Sequence, residues 1–256
     1  GEQATVVLAN RAGITRQFVE CLIIAGFFQF FAHFGVFGGH AGALMLTGDD
    51  RFAGGAVRHI VGFTRRCPPG CGIHWRSGLE LGIRVISWAF ALEFLRTSPA
   101  LTDEVRAAVL ASVDAHLAHL ERYPSRYSSA NNHLIGEAAG LAVGGLAFPE
   151  SSRAAERAEH GIAELTAALG TQVHADGVDA EQAVGYHGFV LELGLAVVAC
   201  LRRLGRPVPA GLADPLAGIA AFMATLASDG LTLPRIGDED EGLGVDLGPE
   251  MTEPER

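Results

Sequence analysis

The sequence predicts an all-α fold, built as an incomplete (α/α) toroid of helical hairpins, on three observations. Strand signals are nearly absent over the 256 residues. Helical segments follow one another across short Gly, Pro and Asp breaks. The segments also alternate between apolar on all sides and amphipathic, which reads as buried, exposed, buried, exposed. A ring of hairpins gives that order, with inner helices lined by outer ones. No sequence repeat accompanies it, so a regular solenoid is not expected.

Residues 1–43 precede this pattern and are expected to be helical. Within them, "CLIIAGFFQFFAHFGVF" (residues 21–37) is only about the shortest length that spans a bilayer. It also carries Gln29 and His33, so a buried helix is expected in its place. The toroid is expected over residues 44–235. Residues 79–95 are largely apolar and form an inner helix. Residues 102–122 are amphipathic, with Val105, Val109, Val113, Leu117 and Leu120 on one stripe. Asp103 and Glu104 fall in its first turn, where the helix dipole favours acids. Residues 134–147 are apolar nearly all round. Residues 151–169 are amphipathic again, with Ser151 or Ser152 as cap and Arg153, Glu156, Arg157 and Glu159 outward. Residues 186–201 return to apolar, residues 212–227 are mixed, and residues 236–256 form a closing junction.

The order has a consequence for function. If the inner helices run the same way, their N-terminal ends gather at one rim. "GIHWRSGLE" (72–80) precedes the first inner helix, "SSANNH" (128–133) the second and "DGVDAEQAVGYH" (176–187) the third. Three polar clusters far apart in sequence then converge on one mouth, where helix N-termini favour carboxylate or sulfate groups.

Composition narrows the partners. The formal net charge is −10, which argues against a general nucleic-acid or membrane-surface binder. All 19 basic residues are Arg, so Arg is the strong cation for any anionic ligand. Cys21, Cys67, Cys71 and Cys200 are too few for a disulfide scaffold, and the Cys67–Cys71 loop lacks a second Cys/His pair at zinc spacing. "IGDEDEG" (236–242) lacks the full calcium-loop spacing, so no metal or other cofactor is expected. Residues 1–16 and the apolar stretch that follows show no signal-peptide pattern.

"GIHWRSGLELGIRVISWAFAL", "YSSANNHLIGEAAGL", "QVHADGVDAEQAVGYH" and "PRIGDEDEG" resemble the N-terminal region of heparinase II/III-type polysaccharide lyases, a group with alginate lyase-like and heparin lyase-like members. The resemblance runs in order from Leu44 to Leu247 and does not cover the first forty residues. It implies a toroid followed by a C-terminal β-sandwich domain, expected to lie beyond these residues. It also implies eliminative cleavage of a uronic-acid-containing polysaccharide, a periplasmic or secreted location, and a fragment that is weakly active or inactive alone.

Abstracting the proton α to a uronate carboxylate builds charge that positioned donors must neutralise. The resemblance places Asn132 and His133 in that role and Tyr186 as the catalytic tyrosine, which protonates the leaving oxygen and in one geometry acts first as base. Around them, Trp75 is expected to stack on a sugar ring and Arg76 to pair with a carboxylate or sulfate. Glu80 is expected to fix Arg76 or Arg84, and Arg126 to add positive potential beside the Asn-Asn-His loop. Glu137, one turn after His133, is expected to orient its imidazole. Gln182 is expected to share the face of Tyr186, Glu181 to be a site residue or an N-terminal helix charge, and His187 to touch the groove or buttress it. The family more often has Asn where His74 stands. Rival readings are a glycoside hydrolase on a similar toroid, with Asp179 and Glu181 as its carboxylates, and a non-catalytic glycan-binding module.

Overall fold

The computed structural model describes residues 50–227 and 233–238. The expectations for residues 1–43, the apolar stretch 21–37 included, and for most of the 236–256 junction lie outside these residues. Within them the chain is helical, without a named strand. It runs α1 (Asp50–Arg66), α2 (Gly78–Phe94), α3 (Asp103–Arg122), α4 (Asn132–Ala147), α5 (Ala154–Gln172), α6 (Val184–Arg203) and α7 (Ala210–Leu226). Single 3-10 turns, Ile73–Trp75 and Tyr127–Ser129, precede α2 and α4. The sequence reading did not single out α1. It is tied to the rest where the Ser98 hydroxyl donates to Asp50 Oδ1 at 2.9 Å.

Two layers account for the packing. The inner helices α2, α4 and α6 pack on one another, with α4 in the middle, while α1 pairs with α3 and α5 with α7 on the outside. Nearly every residue of α4 is buried, as its all-round apolar sequence requires. Helix α6 is long and apolar enough to cross a membrane, yet most of it is buried inside the ring. Trp88, Leu81, Ile86, Ile135, Leu165, Leu193 and Leu201 are among the fully buried side chains. Each such side chain stabilises the fold by roughly 1.5–3 kcal/mol.

Local side-chain caps set two of the helix starts. Ser77 Oγ accepts the Glu80 N–H at the head of α2, and Thr102 Oγ1 accepts the Val105 N–H at the head of α3. Helix α5 departs from expectation. It starts at Ala154, three residues late, because Ser152 donates its N–H and hydroxyl to Asp114 Oδ1, both at 3.0 Å. Arg153 stands at the cap position with φ 52°, and neither serine caps the helix. Arg157, expected to point outward, is instead 5% exposed. It pairs with Asp114 at 2.8 Å and Glu121 at 3.4 Å, joining α5 to α3.

The inner helices do run the same way. The C-terminal ends of α2 (Phe90, Phe94), α4 (Leu146, Ala147) and α6 (Ala199, Arg203) line one cavity of about 880 Å³. The opposite rim receives their N-terminal ends.

Candidate functional site

Two of the three polar clusters build one cleft at that N-terminal rim. It measures about 430 Å³ and is lined by Arg76, Ser77 and Gly78 from the head of α2, and by Ser125, Ser128, Ser129, Asn131, His133 and Glu137 around the head of α4. His119 and Tyr123 close it from the end of α3. The close fit of the two helix heads has a steric cause: a Cβ on Gly78 would come within 2.8 Å of the Glu137 carboxyl carbon.

The third cluster joins through Asn132. Its backbone N–H donates to Glu181 Oε1 at 2.8 Å and its side-chain Nδ2 to Glu181 Oε2 at 2.9 Å. Gln172 Nε2 adds a bond to the Ala130 carbonyl at 2.8 Å. Residues 233–238 return to the same rim: the N–H of Val184, first residue of α6, donates to the Ile236 carbonyl at 2.9 Å. Gly237 there has φ 85°, and a Cβ would sit 2.6 Å from Ala183 Cα. Tyr186 lies half-buried in the first turn of α6, five residues beyond the carboxylate that holds Asn132.

Each expected site residue has a definite place. His133 is exposed and lines the cleft, as does Arg76. Asn132, between the cleft-lining Asn131 and His133, is 7% exposed with its amide turned to Glu181. Glu181 is therefore a cap for α4 supplied from 49 residues away, and the positive end of that helix already meets a carboxylate. Glu80 is exposed, and its charge favours the cationic form of Arg84.

Four expectations are corrected, and the open reading of His187 is decided. Trp75 is 5% exposed and packs against His116 at 4.4 Å, with its indole N–H donated to the Cys67 carbonyl; it is a core plug, with no face left for a sugar. Arg126 pairs with Glu164 of α5 at 3.0 Å and does not line the cleft. Glu137 takes the Ser125 N–H at 2.6 Å and hydroxyl at 2.7 Å, so its carboxylate anchors a loop where orientation of His133 was expected. Gln182 precedes α6 in a left-handed conformation, φ 55°, so no helical face relates it to Tyr186. His187 is 1% exposed: its Nδ1–H donates to the Ala183 carbonyl, its Nε2 accepts the Asp179 N–H at 2.8 Å, and it stacks on Phe222. It buttresses the loop from beneath.

Sequence reasoning missed His119, Tyr123 and Ser125 in the cleft. The first two lie one turn apart at the end of α3, with ring centroids 5.0 Å apart. A polar, aromatic end on an otherwise amphipathic helix was the available signal. Burial holds His119 below the usual imidazole range, with the Glu137 charge opposing. Deeper in, burial also lowers Arg84, which donates to His116 Nε2 at 3.1 Å. Asp179 is fully buried, and loss of water pushes its carboxyl up, although it accepts the Glu181 N–H at 2.9 Å. Chemically, the cleft offers a guanidinium, two imidazoles, an amide and hydroxyls, a set of donors suited to a carboxylate-bearing sugar.

A model of the family described as "Heparinase II/III N-terminus" matches residues 33–242. The heparan sulfate lyase HepC from Pedobacter heparinus is structurally similar, with a TM-score of 0.60 at 22% identity over 76% of this chain and 31% of that one. A heparinase III structure gives a TM-score of 0.61 at 23% identity, over 73% of this chain and 29% of that one. The chain therefore spans less than a third of either structure's length, and at these identities the likeness is one of fold. No curated protein sequence matches.

Proposed function

The chain belongs to the heparinase II/III N-terminus family, and on that premise we propose that it is the toroid part of a polysaccharide lyase that cleaves an acidic, uronic-acid-containing glycan by β-elimination. The observation that carries this reading is the meeting of three sequence-distant clusters at one rim. Asn132 is joined to Glu181, Tyr186 follows in the next turn, and His133 and Arg76 share the adjoining cleft. In the reaction, Arg76, His133 and the Asn132 N–H not held by Glu181 neutralise the uronate carboxylate. That lowers the cost of removing the α-proton. Tyr186 delivers a proton to the leaving glycosidic oxygen and, in one geometry, its phenolate first takes the α-proton. The atoms balance without water, and the new sugar end carries a double bond conjugated to its carboxylate.

The carbohydrate-lyase reading fits better than hydrolysis. An acid and a base on opposite sides of a bond are needed there. Asp179 and Glu181 are joined in one turn, with Asp179 fully buried and Glu181 engaged with Asn132. A C-terminal β-sandwich domain of the full-length protein, expected to bring further catalytic groups, and export to the periplasm or beyond complete the proposal.

The test is turnover by the full-length protein on alginate, hyaluronan, heparan sulfate and chondroitin, followed by near-ultraviolet absorbance of the unsaturated product. Tyr186→Phe is expected to lower kcat by about 10² or more while glycan binding persists. Reducing ends released without that absorbance would establish hydrolysis. Binding without turnover in the wild type would establish a glycan-binding module.

A further inference from the structure

We propose that Glu181 is a positioning residue that fixes which way the Asn132 amide faces; the proposal rests on the role given above to Asn132. Both Glu181 carboxylate oxygens can only accept hydrogen bonds when ionised. One takes the backbone N–H of Asn132 at 2.8 Å and the other stands 2.9 Å from its side-chain nitrogen. An inverted amide would set carbonyl oxygen against carboxylate oxygen, so this arrangement admits one orientation. It leaves Oδ1 and one N–H of Asn132 on the side away from Glu181. An unsupported amide can turn over at little cost, and half of its population would then offer oxygen where a uronate carboxylate needs a donor.

Glu181 is itself supported by a chain of hydrogen bonds. Its own N–H donates to Asp179 Oδ1 at 2.9 Å, and the Asp179 N–H donates to His187 Nε2 at 2.8 Å. His187 stands on α6 directly after Tyr186, with its ring fixed by the Ala183 carbonyl and by Phe222. The turn of α6 that carries the tyrosine is thereby linked, through His187, Asp179 and Glu181, to the amide at the head of α4. Two groups proposed to meet one sugar unit, 54 positions apart in the chain, share one chain of hydrogen bonds.

Glu181→Gln tests this with little change of shape. The new side chain has one acceptor and one donor, so its oxygen keeps the Asn132 backbone N–H while its NH2 demands the Asn132 carbonyl. The amide is forced to invert, whereas the helix cap survives. In the full-length protein, kcat is expected to fall at least tenfold with KM changed less than threefold and the melting profile close to that of the wild type. Asn132→Asp sets a second carboxylate against Glu181 and is expected to lower the melting temperature. Adding Glu181→Gln to that variant restores an acceptor–donor match and is expected to recover most of the loss. A purely structural cap would not give that rescue.

Side-chain amide NMR supplies a readout independent of turnover: the Asn132 NH2 protons are expected to be widely split in the wild type and to collapse in Glu181→Gln. Wild-type kcat in Glu181→Gln, or equal melting of Asn132→Asp with and without Glu181→Gln, overturns the proposal. A wild type that makes no unsaturated product overturns the lyase reading instead, and the melting and NMR arms still decide whether Glu181 sets the amide.

Discussion

His116 sits fully buried between α3 and α2, donating Nδ1–H to the Ser112 carbonyl at 2.7 Å and accepting from Arg84 at Nε2. Burial, assisted by the Arg84 and His119 charges and opposed by the Ser112 bond, pushes its pKa down to about 4 from 6.5. The unfolded chain therefore binds a proton between these values that the folded chain does not. Stability from this group is complete above pH 6.5 and is lost as pH falls toward 4, by up to about 3 kcal/mol. The buried Asp179 carboxyl, pushed up, works in the opposite direction. The prediction is therefore read as a difference: urea midpoints from pH 7 to pH 4 should fall less steeply in His116→Gln than in the wild type. Parallel curves would contradict it. Tyr127 poses a different single-residue case. Its backbone is left-handed at φ 58° and its side chain is 97% exposed, so strain is present without packing to offset it. Asn adopts that conformation more readily. Tyr127→Asn is expected to stabilise the fold by about 0.5–1 kcal/mol, seen as a raised melting temperature, and a lowered one would reveal a contact that the ring makes. Trp75 shows why residues of this kind are hard to read from sequence. A tryptophan in a polar loop looks the same whether it faces a sugar or fills a core, and only the seating of η-turn Ile73–Trp75 against α3 decides.

Among helices, the alternation of apolar and amphipathic segments was enough to separate the inner α2, α4 and α6 from the outer α3 and α5, because all-round burial leaves a composition that outer positions cannot share. Boundaries were less legible. Helix α5 starts late since Asp114, some forty positions earlier, captures Ser152, and no local pattern reports a partner that distant. Helix α4 is capped by Glu181 for the same reason. What the sequence did not announce was how closely the helices approach α4. A Cβ on Gly140 would lie 2.3 Å from Gly82 Cα, and one on Gly161 would lie 2.4 Å from the Ala142 nitrogen. These are backbone atoms, which cannot turn aside as a side chain does. Gly140→Ala must therefore push α2 and α4 apart, at a cost of about 3 kcal/mol or more, although alanine is the better helix former. Gly170 of α5 has nothing among the described residues within 4 Å of the added carbon, so Gly170→Ala is expected to stabilise by up to about 1 kcal/mol. Denaturant midpoints of the two variants should shift in opposite directions. Equal shifts would mean that the inner helices have slack.

At the scale of the whole molecule, the direction of the chain does the assembling. Because α2, α4 and α6 run parallel, the polar segments ahead of each share a rim, and that much followed from the sequence once the alternation was seen. Which side chains face the cleft did not follow, since Glu181 and His187 turn inward to anchor a loop, while Glu137, which does line the cleft, has its carboxylate tied to Ser125. The same rim sets a problem of charge. The chain carries a formal net charge of −10, while the cleft gathers Arg76, His119 and His133 as donors beside a single carboxylate, Glu137. A polyanionic glycan approaching from afar meets the repulsive field of the whole chain before it meets the local donors. The two act over different distances, and salt separates them. The Debye length falls from about 30 Å at 0.01 M to about 10 Å at 0.1 M, which removes most of the long-range repulsion yet leaves contacts of a few Å largely intact. Association of an acidic oligosaccharide is therefore expected to quicken a few-fold between these two salt concentrations, whereas dissociation changes less. Stopped-flow binding at the two ionic strengths measures both. A steady slowing of association with salt, as seen where a basic surface steers its ligand, would mean that the cleft's own field already dominates at a distance.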